Sequence, residues 1–425
     1  GAVSGITVAE GAPMPDLIRN AALVERARRV VPGAMWGHQN AARLPQGYPQ
    51  YFSRGEGCTL WDVDGNAYVD FMCAWGPIIL GHRHPEVEAA AQAQAARGDC
   101  LNGPGEVMVE LAELFVDTVA AADWVQFKKN GNDATTAAVV IARAETRRRK
   151  ILVAKGAYHG SAPWCSPSVL GVTAEDRAHI LTYDYNDIDS LHRAAEAARG
   201  DLAGVIVSAF RHDLGIDQEL PSLAFAQAVR AVCDEAEAAL ILDDVRAGFR
   251  LHAAGSWEPY GVRPDLSSWS KAISNGYALA ALTGRDRFRA AASDVFSTGS
   301  FWTTSVAMAA SVATITTLQR DDGIGHMTRM GSRLREGLDG LSRHHGIPIR
   351  QTGPVQMPTV MFTDDAELKK GFAFCSAAIA AGVYFHPTHN MFLSVAHQEN
   401  DIARALEAAE HGFRAVRRMQ SLAAE

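Results

Sequence analysis

Several large classes of protein are excluded by what this chain lacks. Its six cysteines, Cys58, Cys73, Cys100, Cys165, Cys233 and Cys375, are scattered along the sequence. None forms a C-x-x-C pair or joins a histidine cluster at ligand spacing, so neither a disulfide framework nor a metal site is expected. No run of about 18 or more apolar residues occurs, and no charged-then-apolar leader opens the chain, so neither a membrane span nor secretion is expected and the cytoplasm is the default. Positive charge is in deficit: 40 Lys and Arg against 48 Asp and Glu leave a net charge of −8. Such a chain lacks the basic surface that general nucleic-acid binding needs. Internal repeats and long low-complexity tracts are also missing. Residues 1–5 are left out of fold reasoning.

What is present is the composition of an ordinary globular enzyme, 48% hydrophobic and 21% charged over 425 residues, long enough for one large and one smaller domain. Residues 16–29 carry Leu17, Ile18, Ala21, Ala22, Val24 and Ala27 at near-helical spacing and predict an amphipathic helix. Residues 51–70 alternate apolar and polar side chains around Asp62-Val63-Asp64-Gly65-Asn66, which predicts a small meander. From 85 to 318, helical stretches alternate with short apolar runs at 124–127, 151–154, 204–207, 239–242 and 278–282, the pattern of a mostly parallel α/β sheet. Beyond 320, a helix at 327–341, short runs at 358–362 and 382–385 and a last helix at 400–419 predict an α+β segment. The expected division is 1–70 as a helix and meander belonging to a small domain, 71–320 as the large α/β domain, and 321–425 as the remainder of the small domain.

Ligands of such sheets bind beyond the carboxyl ends of the strands. Residues 130–133, Tyr158, Asp213 and Asp243 each follow one of the first four runs. Lys271, in Ser268-Trp269-Ser270-Lys271-Ala272, precedes the fifth run and would reach the same edge if that strand were antiparallel. A lysine by itself is ordinarily a surface cation. Asp243, at the end of a strongly apolar run, changes its meaning, because an acid and an amine facing one small ligand are what pyridoxal 5'-phosphate requires. That cofactor is held as an imine on lysine, with its ring nitrogen kept protonated by an aspartate. Lys271, once freed by an amine substrate, is the natural base for a 1,3-proton shift.

Three other features take bland readings. The basic run at 147–150 complements a helix terminus, the His344-His345 pair lacks further ligands, and Glu10 enters no site.

The lysine and the aspartate lie within longer blocks. W-D-V-D-G-N-A-Y-V-D (61–70), Trp75-Gly76-Pro77, Gly81-His82-Arg83-His84-Pro85, L-D-D-V-R-A-G-F-R (242–250), the lysine block, and Gly382-Val383-Tyr384-Phe385 with Leu393-Ser394-Val395-Ala396-His397 occur in that order. In these blocks, which span nearly the whole chain, the sequence resembles the class III, fold type I aminotransferases, and most of all the glutamate-1-semialdehyde 2,1-aminomutase branch. The resemblance implies a large mostly parallel sheet domain with a smaller α+β domain, the large one binding pyridoxal 5'-phosphate. Asn130-Gly131-Asn132-Asp133-Ala134 stands where that family has S-G-T-E-A, which makes Gly131 and Asn132 a phosphate cradle at a helix start. Tyr158 of Tyr158-His159-Gly160 would stack on the pyridine ring, His159 would lie near substrate, and Val245 would close the other face. Asp213 stands in for an asparagine near the phenolic oxygen. Ser300 matches a hydroxyl that reaches the neighbouring subunit's phosphate, which implies a homodimer with shared active sites.

The departures from the family pattern bear on the substrate. Asn40 stands where the aminomutases place an arginine that grips a carboxylate, and Ser208 replaces the glutamate of E-P-x-x-x-N-x-G. A lost cation, an added Asp213 and tryptophans 36, 75, 164 and 302 around the entrance suit a cationic, hydroxylated amine, with Trp75 and Asn40 as contacts. Met72-Cys73-Ala74-Trp75-Gly76-Pro77 also looks like class III enzymes that act on aminoglycoside antibiotics, which makes an aminosugar the expected substrate. Two enzymatic readings stand, an aminotransferase and, alternatively, an aminomutase, epimerase or elimination enzyme that consumes no external acceptor. A non-catalytic binding fold would have no need to keep both Lys271 and Asp243.

Overall fold

The computed structural model describes residues 14–425; residues 1–5 and Glu10, discussed above, lie outside that span. After the helix Ile18–Val30, the alternating segment forms three antiparallel strands, β1 (Phe52–Glu56), β2 (Thr59–Asp62) and β3 (Ala67–Asp70). Asp62 closes the β2–β3 turn, its carboxylate accepting from the N–H groups of Asp64 and Asn66, from Asn66 Nδ2 and from the Tyr68 hydroxyl.

Seven strands make the main sheet: β4 (Trp124–Lys128), β5 (Lys150–Ala154), β6 (Ile180–Tyr183), β7 (Leu202–Ser208), β8 (Ala239–Asp243), β9 (Leu266–Trp269) and β10 (Ala280–Gly284). Their spatial order is β4-β10-β9-β8-β7-β5-β6, and only β10 runs against its neighbours. Alternate residues of the central strands feed two separate cores. Val205, Val207, Leu240 and Leu242 pack with Leu191, Phe225 and Val229 of the helices Ile188–Ala197 and Leu223–Ala236. Ile206, Ala239 and Ile241 pack with Ala134, Ala138 and Ile141 of the helix Gly131–Thr146 on the opposite face. Every residue of β7 and β8 is buried, which is why these strands read as unbroken apolar runs.

Two strands, β6 and β9, lie outside the five apolar runs. The Leu-Ser-Ser-Trp of β9 is buried throughout, its serines matching polar partners on the neighbouring strands. The expected position of Lys271 holds, because β10, which it precedes, is antiparallel to its neighbours. The unforeseen β9 adds the reason: the lysine leaves its carboxyl end, and β9 is parallel to β8.

The C-terminal part contains the helix Gly323–His345, the antiparallel pair β11 (Ile349–Thr352) and β12 (Thr359–Phe362), the helix Lys369–Ala380, β13 (Val383–Tyr384) and the helix Glu399–Ala424. β13 pairs in parallel with β3, Val383 opposite Val69 and Tyr384 opposite Asp70, so the two ends of the chain share one four-stranded sheet. Among the described residues no helix is long and apolar enough to cross a membrane, and no group of three potential metal ligands converges. All six cysteines are free, with only Cys100 exposed.

Candidate active site

Strand register sets the first part of the site. Ser208, Asp243 and Ser268 lie side by side at the carboxyl ends of β7, β8 and β9. Asp243 is buried, and both of its oxygens are engaged. Oδ1 accepts from the Ser268 hydroxyl at 3.0 Å and the Val245 N–H at 3.1 Å, and Oδ2 lies 2.6 Å from His159 Nδ1. The His159 side chain is 0% exposed and stacks against Trp164 at 6.5 Å. Its expected place beside the substrate is therefore corrected: the ring stands behind Asp243, where no ligand reaches it from solvent.

Lys271 occupies a strained turn, with φ at 43°. Its ammonium donates to the carbonyl of Trp75 at 2.9 Å. Burial pushes the Lys271 amine down to about 7, and the charges of Arg246 and Arg250 push it the same way against the pull of Asp243. The facing loop is strained as well: Cys73, Ala74, Trp75 and Gly76 have successive φ values of 51°, 54°, 68° and 116°. A left-handed conformation costs a non-glycine residue about 1–2 kcal/mol. Two clamps hold the loop. Arg250 donates to the carbonyls of Gly76 and Ile78, and Asn275, from the lysine's own turn, accepts from Ile79 N–H and Leu80 N–H while donating to the Gly81 carbonyl. A Cβ on Gly76 would come within 3.1 Å of Lys271 Cδ and 3.2 Å of Phe392 Cε1, so glycine is what lets the loop lie on the lysine stem.

The helix Gly131–Thr146 supplies an anion-binding end, because the first N–H groups of a helix have no acceptor within it. Asp133 Oδ2 accepts from Asn130 N–H at 2.8 Å and fixes the entry. Val245 lies so close to Gly131 that a Cβ there would be 2.7 Å from Val245 Cγ1. The Asn132 amide is committed elsewhere: Nδ2 donates to the His159 carbonyl at 3.3 Å and Oδ1 accepts from Ala162 N–H at 3.0 Å. What Asn132 can offer a phosphate is its backbone N–H rather than its side chain. Tyr158, 47% exposed, presents an open ring at the same edge.

The remaining expected contacts divide. Asp213 reaches the site, being within the electrostatic field of Arg246, but it is paired with Arg211 at 3.1 Å. Its negative charge is therefore partly balanced within the protein. Of the four tryptophans, Trp75 alone borders Lys271, its ring edge-on to His386 and His389 at 5.2 and 4.9 Å. Trp164 packs on the core and donates to Thr136 Oγ1, and the Trp302 ring lies 4.2 Å from Lys128 Nζ. Trp36 is exposed in a bridge to Gln39. Asn40 caps a short turn, its Oδ1 accepting from Ala42 N–H at 2.9 Å, so local capping accounts for it and no contact ties it to Lys271. Ser300 lies on an exposed loop whose role was expected toward another subunit.

Sequence reasoning missed Ser268, Arg246, His386 and His389. Burial drives His386 down to about 4 and lowers His389, so both imidazoles are neutral at pH 7. The only sequence signal for Arg246 was its presence, with Arg250, in the block after Asp243.

The assembled groups can do imine and proton-transfer chemistry on a flat ring. A buried amine near neutrality can attack a carbonyl, a pinned carboxylate can meet a ring nitrogen, and a helix N-terminus can hold a phosphate. Space is kept open at Gly76 and Gly131, where no Cβ fits. This donor set fits pyridoxal 5'-phosphate.

Comparison with known proteins agrees. The family model for aminotransferase class-III matches residues 44–411. An aminopentol aminotransferase from Sphingopyxis macrogoltabida is 48% identical over 405 residues, covering 95% of this chain and 96% of its own. A glutamate-1-semialdehyde 2,1-aminomutase from Chloroherpeton thalassium is 31% identical over 424 residues, covering 93% and 98%. The solved PLP internal aldimine form of the FumI protein from Sphingopyxis sp. MTA144 matches with a TM-score of 0.94 at 48% identity, over 95% of this chain and 97% of that one.

Proposed function

From the premise that this chain belongs to the class-III aminotransferase family and uses pyridoxal 5'-phosphate, we propose that it moves an amino group from a hydroxylated amine, not an α-amino acid, to a keto acid. The observation that carries this reading is the Lys271 amine, brought to about 7 by burial and set on the Trp75 carbonyl within the field of Asp243.

When bound, pyridoxal 5'-phosphate supplies an electron sink for the carbon that loses its proton. Asp243, fixed by Ser268 and His159, would keep the ring nitrogen protonated, and His159 would act only through Asp243. The helix start at Gly131 and the Asn132 N–H would hold the phosphate, and Val245 and Tyr158 would pack against the ring. Asp213, steadied by Arg211, would stand near the cofactor's phenolic oxygen. Lys271 Nζ takes the proton from the substrate carbon and returns it one position along, and the low pKa leaves it neutral often enough to act as that base at pH 7. The ring walls formed by Trp75, His386 and His389 limit the access of water to the amine.

An aminopentol is the substrate named for one relative, and a hydroxyl-bearing amine is the class we carry over to this chain; an aminosugar or aminoglycoside is the narrower member. Two subunits would share the sites through Ser300, a reading supported by Phe296 and Phe301, 93% and 64% exposed on the same loop. Residues 71–320 form the cofactor-binding unit, and the segments before and after it form the small one, with β3 and β13 joining them. Six unpaired thiols suit the cytoplasm.

The second reading, an aminomutase without an external acceptor, draws support from the aminomutase relative and from Ser208, whose buried hydroxyl has no partner. An aminopolyol incubated with holoenzyme and a 2-keto acid separates the two. Stoichiometric loss of keto acid and gain of the amino acid is the expected result. Amine rearrangement with no keto acid consumed establishes the second reading, and absence of both reactions overturns the function.

A further inference from the structure

Arg246 is a cation of the site that pairs with no carboxylate among the described residues and keeps part of its guanidinium open. It follows Asp243 by three positions, and its guanidinium is within electrostatic reach of Lys271, Asp243, Tyr158 and Asp213. Nη1 alone is engaged, donating to the His212 carbonyl at 3.2 Å and to Asn390 Oδ1 at 3.0 Å. Asn390 is turned that way because its own Nδ2 donates to the Met391 carbonyl at 2.9 Å. Both partners of Nη1 are neutral, and among the described residues no carboxylate lies within 4 Å of the guanidinium. The nearby acids are occupied: Asp213 by Arg211, and Asp243 by His159, Ser268 and the Val245 N–H. The surrounding imidazoles of His212 and His389 are held neutral by burial, so they neither repel nor balance the arginine.

Arg250 makes the contrast. It is 0% exposed and donates through both terminal nitrogens to the carbonyls of Gly76 and Ile78; its Nε has no partner but is sealed from solvent, so Arg250 serves as a structural clamp. Arg246 is only partly buried and keeps Nε and Nη2 free. A guanidinium held in this way presents a planar fork of two N–H groups, which matches a pair of oxygens on one carboxylate. Burying such a charge without a counter-ion is unfavourable, and an incoming anion relieves the cost.

We propose that Arg246 is the anion anchor of the active site, its Nε and Nη2 receiving an anionic oxygen next to Lys271. This rests on the aminotransferase reading for the identity of the ligand, since transfer to a keto acid brings a carboxylate to the amine in each cycle. The same chemistry belongs to the phenolate oxygen of the bound cofactor, and the two sources give different signatures. Arg246 acts by binding, and Lys271 does the proton transfer.

The test uses holoenzyme, with Arg246→Met removing the charge at similar length and Arg246→Lys keeping it without the fork. Pyruvate, the simplest 2-keto acid, is the kinetic probe. Propionate, which cannot react, is the equilibrium probe, followed through the cofactor's visible absorption. If the anchored group is the substrate carboxylate, Arg246→Met raises KM for pyruvate and weakens propionate binding roughly 10- to 100-fold, with kcat less affected and Arg246→Lys intermediate. If it is the cofactor's phenolate, the pH midpoint of the absorption band rises by about one unit or more in Arg246→Met, with propionate binding unchanged. Parental values for propionate binding and band midpoint in Arg246→Met overturn the proposal. Should that variant fail to fold with cofactor, parental values in Arg246→Lys overturn it, and a shift in either readout supports it. Propionate binding needs no turnover, so an enzyme that consumes no pyruvate but binds propionate through Arg246 removes the aminotransferase reading and leaves the anchor standing.

Discussion

His159 Nδ1 stands 2.6 Å from Asp243 Oδ2 with its ring fully withdrawn from solvent. The histidine thus acts on whatever Asp243 binds without touching it. Asp243→Asn keeps the shape and removes the charge that would meet a protonated ring nitrogen. We expect kcat to fall by about 10²- to 10³-fold, the scale of losing one pre-organised electrostatic partner in a dry site. His159→Phe should cost less, about tenfold, because Ser268 and the Val245 N–H still hold Oδ1. Steady-state rates at saturating amine check both, and a His159 variant worse than Asp243→Asn would contradict the ordering.

The amine of Lys271 gives a dependence on pH whose sign follows from its shift. Unfolded, the lysine holds its proton up to about 10.5; folded, it releases it near 7. Between those values the unfolded chain binds more protons, so cofactor-free protein gains stability as pH rises from about 7 to about 10.5. Lys271→Met removes that penalty. Its urea midpoint should exceed the parent's at neutral pH, and the advantage should vanish toward the upper end of the window. In the parent, the rate of cofactor loading should rise through a midpoint near 7, because only the neutral amine attacks a carbonyl; a midpoint near 10 would show the amine to be solvated. Lys271→Ala should fold and turn over no substrate.

Much of this arrangement was legible in the sequence where chemistry and strand ends coincide. Asp243 ends an unbroken apolar run because β8 is covered on both faces, and the same burial makes its carboxylate conspicuous. β9 was illegible for the converse reason. Its Ser267 and Ser268 are polar, and burial of Ser268 is tolerated because Asp243 of the next strand accepts a hydrogen bond from its hydroxyl, a long-range fact. The two arginines of the block after Asp243 were likewise indistinguishable. Arg250 is consumed by carbonyls at 76 and 78 and Arg246 by residues 212 and 390, so which one stays open is decided by loops far away in the chain. The local partners of Asn40 and Asp213, the Ala42 N–H and Arg211, were hidden as well, because sequence shows a residue's type and not what it meets.

Gly76→Ala probes the contact between the strained loop and the lysine stem. The new Cβ would press on Lys271 Cδ and Phe392 at 3.1 and 3.2 Å, at a φ of 116° that side chains rarely adopt. We expect a loss of about 1–3 kcal/mol in stability by denaturant titration. Cofactor loading should slow together with it, since the methyl group crowds the stem that carries the amine. Unchanged loading would mean that the loop moves aside freely.

Asn275 links that loop to the lysine's turn, and three variants separate its two roles. The residue sits at φ 50° and also satisfies the buried N–H groups of Ile79 and Leu80. Asn275→Gly accommodates the left-handed backbone but strands both donors, each worth about 1–3 kcal/mol when left buried and unpaired. Asn275→Ala adds backbone strain to the same loss and should be the least stable of the three. Asn275→Asp keeps an acceptor for both N–H groups but sets its second oxygen against the Gly81 carbonyl, a repulsion that protonation relieves, so at acidic pH it should lie nearest the parent. The order of melting temperatures at that pH, Asp above Gly above Ala, is the expected result. Should the Gly variant match the parent, the hydrogen bonds would be dispensable and backbone conformation alone would set the position of the loop against Lys271.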